Sequence, residues 1–226
     1  MTGGASIATC QAVGAVYEFQ VNLIGKHSIG LKSMHYKRYA HCSVYARERV
    51  FVFGGFAHND VPEEPPQTLS CCEQLTNAQN YWETISSMNQ ARAFMSASAI
   101  QDQYVYLFGG IKDYHITNTI EKFDIITDTW ISLYFKLPIP LSKHASVATN
   151  NKCIIIIGGM SADYEPSRKN WQLDLTLAKF KDLNDMKYER LFEGGDGAFR
   201  SANGNVFVMN GCLDDFECER YKPSKD

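Results

Sequence analysis

The stretch QDQYVYLFGGI, residues 101–111, is a short apolar segment that ends in two glycines. Its aromatic and aliphatic residues favour a β-strand. Glycine can leave a strand at φ > 0 and allows another backbone to approach closely, because it has no Cβ. Three other segments share this pattern: RVFVFGGF at 49–56, CIIIIGGM at 153–160 and NVFVMNGC at 205–212. The chain therefore repeats one strand-and-turn unit four times.

The repeats keep a nearly constant spacing. Gly54, Gly109, Gly158 and Asn210 mark the same position in each unit, so successive spacings are 55, 49 and 52 residues. Such a period is typical of a propeller blade. An aromatic residue also stands six positions after Thr76, Asp124 and Asp174; these aromatic residues are Trp82, Trp130 and Phe180. We expect them to fill the space between neighbouring sheets.

Each unit begins with a basic residue and a strand of small residues: KRYAHCSVY at 37–45, ARAFMSASAI at 91–100 and SKHASVAT at 142–149. Small side chains would let the innermost strands of neighbouring blades approach at the ring axis. The second strand is apolar throughout, as in IIIIGG, which indicates burial on both faces.

These motifs resemble the kelch-repeat family over nearly the whole chain. The unit from Arg92 to Pro138 matches best, through Gly109, Gly110, Glu121, Phe123, Asp124 and Trp130. The resemblance implies an all-β fold, a kelch-type β-propeller of four-stranded antiparallel blades, as one domain over residues 1–226. Its expected parts are a partial blade at 1–37, blades at about 38–90, 91–139 and 140–186, and a partial blade at 187–226.

The blade count raises the question of how the ring closes. Four to five blades are visible, whereas the resemblance implies rings of six or seven. The ring is therefore either incomplete or closed by joining both termini, with the strand near Gly30–Ser33 on the outside of the last blade. An open ring would leave sticky edges that another chain could cover.

Composition excludes several classes of protein. The net charge of −3, with 21% charged residues, argues against coating nucleic acid by bulk charge. Apolar runs are much shorter than the roughly 20 residues of a membrane-spanning helix, and no export signal follows Met1. Seven scattered cysteines without a C-x-x-C pair favour a reducing, cytoplasmic location. A zinc site at His41, Cys42, Cys71 and Cys72 is an alternative, although closely paired ligands are missing.

The sequence gives little support for catalysis, and we expect no enzyme, cofactor or metal. EGGDGAF at 193–199 lacks the spacing and the following helix of a phosphate-binding loop. Some kelch-like propellers are oxidases or sugar isomerases, so an axial copper site is a second possibility. Its ligands would come from the histidines and tyrosines His41, His144, Tyr36 and Tyr114.

A protein-binding role has more support. The loops that follow each Gly-Gly pair vary in length and contain residue types enriched in binding hot spots, including Tyr114, Tyr164 and Arg168. The basic residues at blade entries, together with a neighbouring histidine, are further candidates: Arg38, Arg92, Lys143 and His144. The kelch resemblance implies that such basic residues grip an acidic peptide. In the alternative interpretation, Arg38 and Arg92 only bond neighbouring backbone carbonyls.

The sequence therefore predicts a non-enzymatic protein–protein interaction module that binds a partner through its loop face. It would be cytoplasmic or associated with the cytoskeleton. The alternatives are a structural subunit of a large assembly, for example a cytoskeletal one, and a propeller enzyme acting in the axial channel.

Overall fold

The computed structural model is built of β-strands, and no helix occurs among its described residues. Four antiparallel blades are arranged as a β-propeller, which confirms the predicted all-β architecture. Side chains are described from residue 30 onwards. The described residues are 2–5, 12–22, 25–57, 65–76, 81–194, 197–209, 211 and 218–223.

The N-terminal sheet contains β1 (Thr2–Ala5), β2 (Ala12–Asn22) and β3 (Gly25–Leu31). Strand β3 pairs with β2 in a continuous antiparallel ladder from Val16↔Leu31 to Asn22↔Gly25. The prediction that the strand near Gly30–Ser33 lies outside the last blade is therefore wrong. The long ladder with β2 makes β3 the outer strand of its own sheet.

Three blades are complete four-stranded sheets, with their strands hydrogen-bonded in chain order. In each blade, a two-stranded sheet involves residues next to the glycine pair. Blade one contains β4 (Cys42–Ala46), β5 (Arg49–Phe53), β8 (Cys72–Thr76) and β9 (Tyr81–Ile85), with β6 (Phe56–Ala57) and β7 (Gln67–Thr68) as its hairpin. Blade two contains β10 (Ser96–Ile100), β11 (Tyr104–Phe108), β14 (Ile120–Asp124) and β15 (Thr129–Ser132), with β12 (Ile111–Lys112) and β13 (His115–Ile116) as its hairpin.

Blade three contains β17 (Ala145–Ala148), β18 (Cys153–Ile157), β20 (Asn170–Asp174) and β21 (Lys179–Asp182), with the pair β16 (Leu141–Ser142) and β19 (Met160–Ser161). Blade four contains β22 (Ala198–Arg200), β23 (Val206–Val208) and β24 (Glu219–Tyr221). In its described part, blade four has three strands.

Alternate residues of each second strand face opposite neighbours. In β11, Val105 and Leu107 pack in the core shared with blade one, whereas Phe108 packs in the core shared with blade three. Trp130 fills the gap between blades one and two, with its ring 5.6 Å from Phe53 and 4.8 Å from Phe123. The cores therefore lie between the blades, where the repeated apolar strands predicted them.

The Gly-Gly pairs join each blade to the next. Gly54 and Gly55 have φ values of 54° and 95°, in the region that favours glycine. A Cβ on Gly54 would lie 2.5 Å from the carbonyl oxygen of Arg92, in the crossover to blade two. The Gly55 N–H donates to that same carbonyl at 2.9 Å. The expected need for φ > 0 and close backbone approach is confirmed.

Candidate functional site on the loop face

The loops after the second strands and the crossovers between blades lie at one end of the propeller, which we call the loop face. Each glycine pair meets the crossover that enters the next blade: Gly55 N–H donates to Arg92, Gly110 N–H to Leu141 and Gly159 N–H to Arg190, all through the carbonyl oxygen. These contacts define equivalent positions in successive blades. They also fix the crossovers relative to the loops.

A second series of backbone bonds runs along the inner rim of the loop face. Phe94 N–H donates to the Ala40 carbonyl at 2.8 Å, Lys143 to Phe94 at 2.8 Å and Phe192 to Lys143 at 2.7 Å. Ala40, Phe94 and Lys143 all have φ near 50°. Left-handed backbone is costly for residues other than glycine and persists only where surrounding contacts enforce it. The backbone hydrogen bonds along this rim supply such contacts.

Arg38 and Arg92 are fully buried beneath this rim. Arg38 donates to the Gly54 carbonyl at 2.8 Å and to Glu73 at 2.6 Å. Arg92 donates to the Gly109 carbonyl at 2.9 Å and to Glu121 at 2.7 Å. These are the bonds of the alternative interpretation, in which the arginines bond nearby carbonyls. A partner approaching the loop face would not meet either guanidinium group.

The glutamates of these pairs also bind the incoming crossover. Glu73 accepts a bond from the His35 N–H at 2.8 Å, and Glu121 accepts one from the Asn89 N–H at 2.8 Å. In blade four, Glu219 accepts the Lys187 N–H at 2.7 Å and pairs with Arg190. A buried carboxylate is stable only when its oxygens are satisfied, and here arginine and backbone share that task.

Blade three has an apolar version of the same arrangement. Leu141 occupies the arginine position, and Trp171 occupies the glutamate position of the third strand. Pro138 stands where the other crossovers have an N–H donor. Leu141 and Trp171 are both buried in the core between blades two and three. Lys143, which the sequence aligned with Arg38 and Arg92, lies two residues beyond the true equivalent, so that alignment is wrong.

Sequence reasoning missed Arg190, Glu73 and Glu219, and it used Glu121 only as part of the repeat motif. A signal for them was present, because a methionine precedes each buried arginine by four residues, at 34–38, 88–92 and 186–190. Met34, Met88 and Met186 are all buried. The segments aligned at the blade entries began at residues 37, 91 and 142, so they did not include the methionines that precede them.

His144 is buried at the interface between blades two and three. Burial lowers its pKa to about 3, so the ring is neutral at physiological pH. Neither ring nitrogen has a hydrogen-bond partner among the described residues. Its equivalents at the glycine contacts are His41 and Met95. An apolar residue thus serves the same position in blade two, which indicates a packing role for His144.

Tyr114 and Tyr164 are instead at the surface, on the loops of blades two and three. They are 61% and 62% exposed, and the Tyr164 hydroxyl donates to the Tyr114 carbonyl at 3.3 Å. Both have positive φ, 64° and 63°. Tyr114 shares a two-residue hairpin turn with Asp113, a place where Asn-Gly or Asp-Gly is strongly preferred. Two strained and exposed tyrosines therefore lie in contact on the loop face.

The remaining predicted residues flank these tyrosines with charge. Lys143 lies on the inner rim, with Nζ 4.6 Å from the centre of the Phe94 ring and 2.8 Å from Glu193. Arg168 follows Tyr164 on the loop of blade three and lies 3.7 Å from Asp185. Both side chains reach solvent, so they can contribute positive charge to a surface that Arg38 and Arg92 cannot reach.

The candidate metal ligands are not brought together. In the described part of the chain, no three His, Cys, Asp or Glu side chains form a group able to hold a metal ion. Burial raises the pKa of the Cys72 thiol to about 12, so it is a poor thiolate ligand. Of the imagined copper ligands, His144 is buried and Tyr114 is exposed at a loop tip. The structure assigns them to different environments.

Comparison with known proteins agrees with this architecture. Residues 8–211 match the family described as KLHDC2/KLHL20/DRC7 Kelch-repeats domain. The chain belongs to the kelch-repeat family. Members of this family typically mediate protein interactions. Within the described residues, no helix is long and apolar enough to cross a membrane.

Individual relatives are distant. Alpha-scruin of Limulus polyphemus is 26% identical over 175 residues, which cover 76% of this chain and 19% of the relative. Kelch-like protein 38 of Mus musculus is 28% identical over 212 residues, covering 92% of this chain and 32% of the relative. The chain thus spans about a fifth to a third of the length of these kelch relatives.

A solved structure supports the fold. The protein in "Structure of YjhT" superposes with a TM-score of 0.74 at 17% identity, covering 91% of this chain and 68% of the other. At this identity the likeness is evidence for the propeller fold alone.

Proposed function

We propose that this kelch protein is a non-enzymatic interaction module that binds a partner protein through its loop face, with Tyr114 and Tyr164 as the central contacts. The observation that carries the proposal is the position of these tyrosines. Both are largely exposed and both occupy left-handed backbone, where glycine or asparagine would fit without strain. Other turns, such as Arg47–Glu48, share the positive φ, so what distinguishes this pair is that the strained residues carry large exposed aromatic rings.

The chemistry of the tyrosines suits recognition. Tyrosine offers a large, rigid apolar surface with a polar tip, and it is enriched in binding hot spots. The Tyr164 hydroxyl donates to the Tyr114 carbonyl at 3.3 Å, so the two loops are already in contact before a partner arrives. Such preorganisation reduces the ordering cost of binding. Lys143 and Arg168 would add positive charge that favours acidic side chains on the partner segment.

The cellular setting is also a proposal. The described cysteines Cys71, Cys72, Cys153 and Cys218 are free thiols, which is consistent with a reducing cytoplasm. Association with the cytoskeleton, either as a binding module or as a built-in subunit, is the more specific hypothesis. Microscopy of the tagged protein with and without filament-disrupting treatment would test that location.

The binding proposal is tested with two tyrosine variants and a matched control. The Tyr114→Ala/Tyr164→Ala variant removes the loop-face pair. Tyr45→Ala removes a tyrosine of equal exposure, 62%, which lies in blade one next to the Arg47–Glu48 turn at the opposite end. Partners captured from native extract by the unchanged protein are identified by mass spectrometry, and their affinity for each variant is then measured.

We expect the double variant to lose the partner and the Tyr45 variant to keep it. Single hot-spot residues typically contribute 2 kcal/mol or more, so affinity should fall at least about 30-fold. Equal binding by both variants would place recognition elsewhere on the molecule.

A further inference from the structure

Blade four has one packed face and one open face. Val206 and Val208 pack in the core shared with blade three. On the opposite face, the rings of Phe199 and Phe207 stack at 5.4 Å. Phe199 is 45% exposed, and Met209, which follows on the same side, is 42% exposed. We call Phe199, Phe207 and Met209 the open face.

The equivalent positions are buried in every preceding blade. Phe207 and Met209 are the third and first residues before Asn210, which replaces the first glycine of the pair. The corresponding residues are Phe51 and Phe53 in blade one, Tyr106 and Phe108 in blade two, and Ile155 and Ile157 in blade three. All six are at most 8% exposed, because each contacts the blade that follows. The open face is therefore an inter-blade surface without its neighbour.

The backbone series along the inner rim stops at the same place. The carbonyls of Ala40, Phe94 and Lys143 each accept a bond from the next crossover. Phe192 is the next residue of the series, and no described residue continues it by donating a backbone N–H to the Phe192 carbonyl. One apolar face and one hydrogen-bond acceptor are thus aligned as in the three established interfaces.

We propose that the open face docks a further kelch-type blade, from outside residues 1–226, rather than a second copy of this chain. Every established interface pairs an aromatic or aliphatic surface on one blade with an aliphatic second strand on the next. A second copy could not supply this aliphatic surface from its blade one. There the corresponding residues Val52, Leu75 and Trp82 are already buried with Met34. Two open faces meeting each other would bring together Arg220 side chains, because Arg220 is the exposed cross-strand neighbour of Phe207.

The repeat specifies what the docking blade presents. Its second strand should carry an aliphatic pair, like Val105 and Leu107, Ile154 and Ile156, or Val206 and Val208. Its crossover should place one N–H opposite the Phe192 carbonyl. The solved structure that resembles this chain extends beyond the matched part, since only 68% of it is covered. The proposal concerns this edge of the fold and is independent of the loop-face tyrosines.

A graft of the protein's own blade tests the proposal. Lys222 corresponds to Thr76 at the end of the third strand, so a copy of residues 77–132 attached after Lys222 would supply an outer strand, a crossover and a complete blade two. The matched control carries Val105→Lys and Leu107→Lys in the attached copy only. Binding of the dye ANS, which reports exposed apolar surface, and urea unfolding are measured for both.

The graft should bind less dye than the lysine control, because the added blade covers the face of blade four, although it exposes its own Tyr106 and Phe108 in turn. Its urea midpoint should also be higher than that of the control. The Phe199→Ser/Phe207→Ser variant of the unextended chain should also lose dye fluorescence while it still unfolds cooperatively, which would show that the dye reports the open face. Equal dye binding by graft and control would overturn the proposal. So would a dimer of the unextended chain, by sedimentation equilibrium, that Phe207→Lys dissociates, because a second copy would then cover the face.

Discussion

Blades two and three have the same backbone arrangement at their entry but opposite chemistry there. In blade two, Arg92 and Glu121 form a buried ion pair, and Glu121 also accepts the Asn89 N–H. In blade three, Leu141 and Trp171 replace the pair, and the proline at 138 removes the N–H that the carboxylate would have bound. The Leu141 carbonyl still accepts the N–H of the preceding glycine pair.

The difference shows that the arginine, the glutamate and the backbone donor are exchanged together, while the backbone of the blade entry stays the same. Replacing a whole buried ion pair by apolar groups can be neutral, whereas removing one partner leaves a charge or a donor unsatisfied. Blade three has changed the arginine, the glutamate and the backbone donor together. The buried arginines therefore support the blades, and the proposed recognition falls to residues that reach solvent.

The largest expected effect comes from breaking the pair in blade two. Glu121→Gln removes the charge opposite Arg92, which is fully buried. Leaving a buried charge without its partner typically costs about 3–5 kcal/mol of unfolding free energy. Urea unfolding measures this loss. Glu48→Gln in an exposed turn is the control and should change stability little; equal losses would mean that the pair is not a special contact.

Rebuilding blade two on the plan of blade three sharpens the comparison. The variant Asn89→Pro/Arg92→Leu/Glu121→Trp removes the charge, its partner and the backbone donor together. We expect it to be more stable than Glu121→Gln, with a favourable coupling on the order of 1–3 kcal/mol among the substitutions. Additive losses in the corresponding mutant cycle would contradict the idea of an exchangeable unit.

His144 supplies a smaller, pH-dependent effect. Its pKa is lowered to about 3 by burial, whereas an unfolded histidine has a pKa near 6.5. Below pH 6.5 the unfolded state binds a proton that the folded state does not, so stability falls as the pH drops. The loss attributable to this group should reach about 2 kcal/mol at pH 5.

His144→Met isolates that effect, because Met95 is the equivalent residue in blade two. Unfolding free energies of both proteins are measured between pH 7.5 and pH 5. The difference between them should change with pH in favour of methionine. A constant difference would show that His144 takes up a proton in the folded state or is less buried than described.

The smallest effect concerns the loop of blade two. Tyr114 has a φ of 64°, so Tyr114→Gly relieves left-handed strain. Relief of the strain should stabilise the folded state by about 1–2 kcal/mol. The greater freedom of glycine in the unfolded chain should destabilise it by about 0.5–1 kcal/mol. We expect a net gain of roughly 0.5 kcal/mol in stability by thermal unfolding. A clear loss would show that Tyr114 has a structural role.

The sequence was sufficient for the fold because the features that determine it are local and repeated. Gly-Gly at φ > 0, the apolar second strand and the aromatic wedge each recur at one period, and the structure places them as predicted. Only the closure that places the strand near Gly30–Ser33 outside the last blade is wrong, because β3 pairs with β2 in the N-terminal sheet.

The candidate site was only partly predictable. Arg92 and Tyr114 both stand near strand ends in the sequence, yet one is buried and the other is exposed. Their difference depends on Glu121, a strand residue whose partner lies 29 positions away. Long-range pairing of this kind decides whether an arginine is buried between the blades or exposed to a partner. The tyrosines were recognised by residue type, but their strained backbone became visible only in the structure.

The most direct test of this division of labour measures partner affinity for two variants of the same protein. One is the rebuilt blade two, Asn89→Pro/Arg92→Leu/Glu121→Trp, which removes the buried polar unit. The other is Tyr114→Gly/Tyr164→Gly, which removes the exposed tyrosines and relieves their strain. We predict that the first variant keeps the partner and that the second loses it without loss of stability. The reverse result would contradict the account.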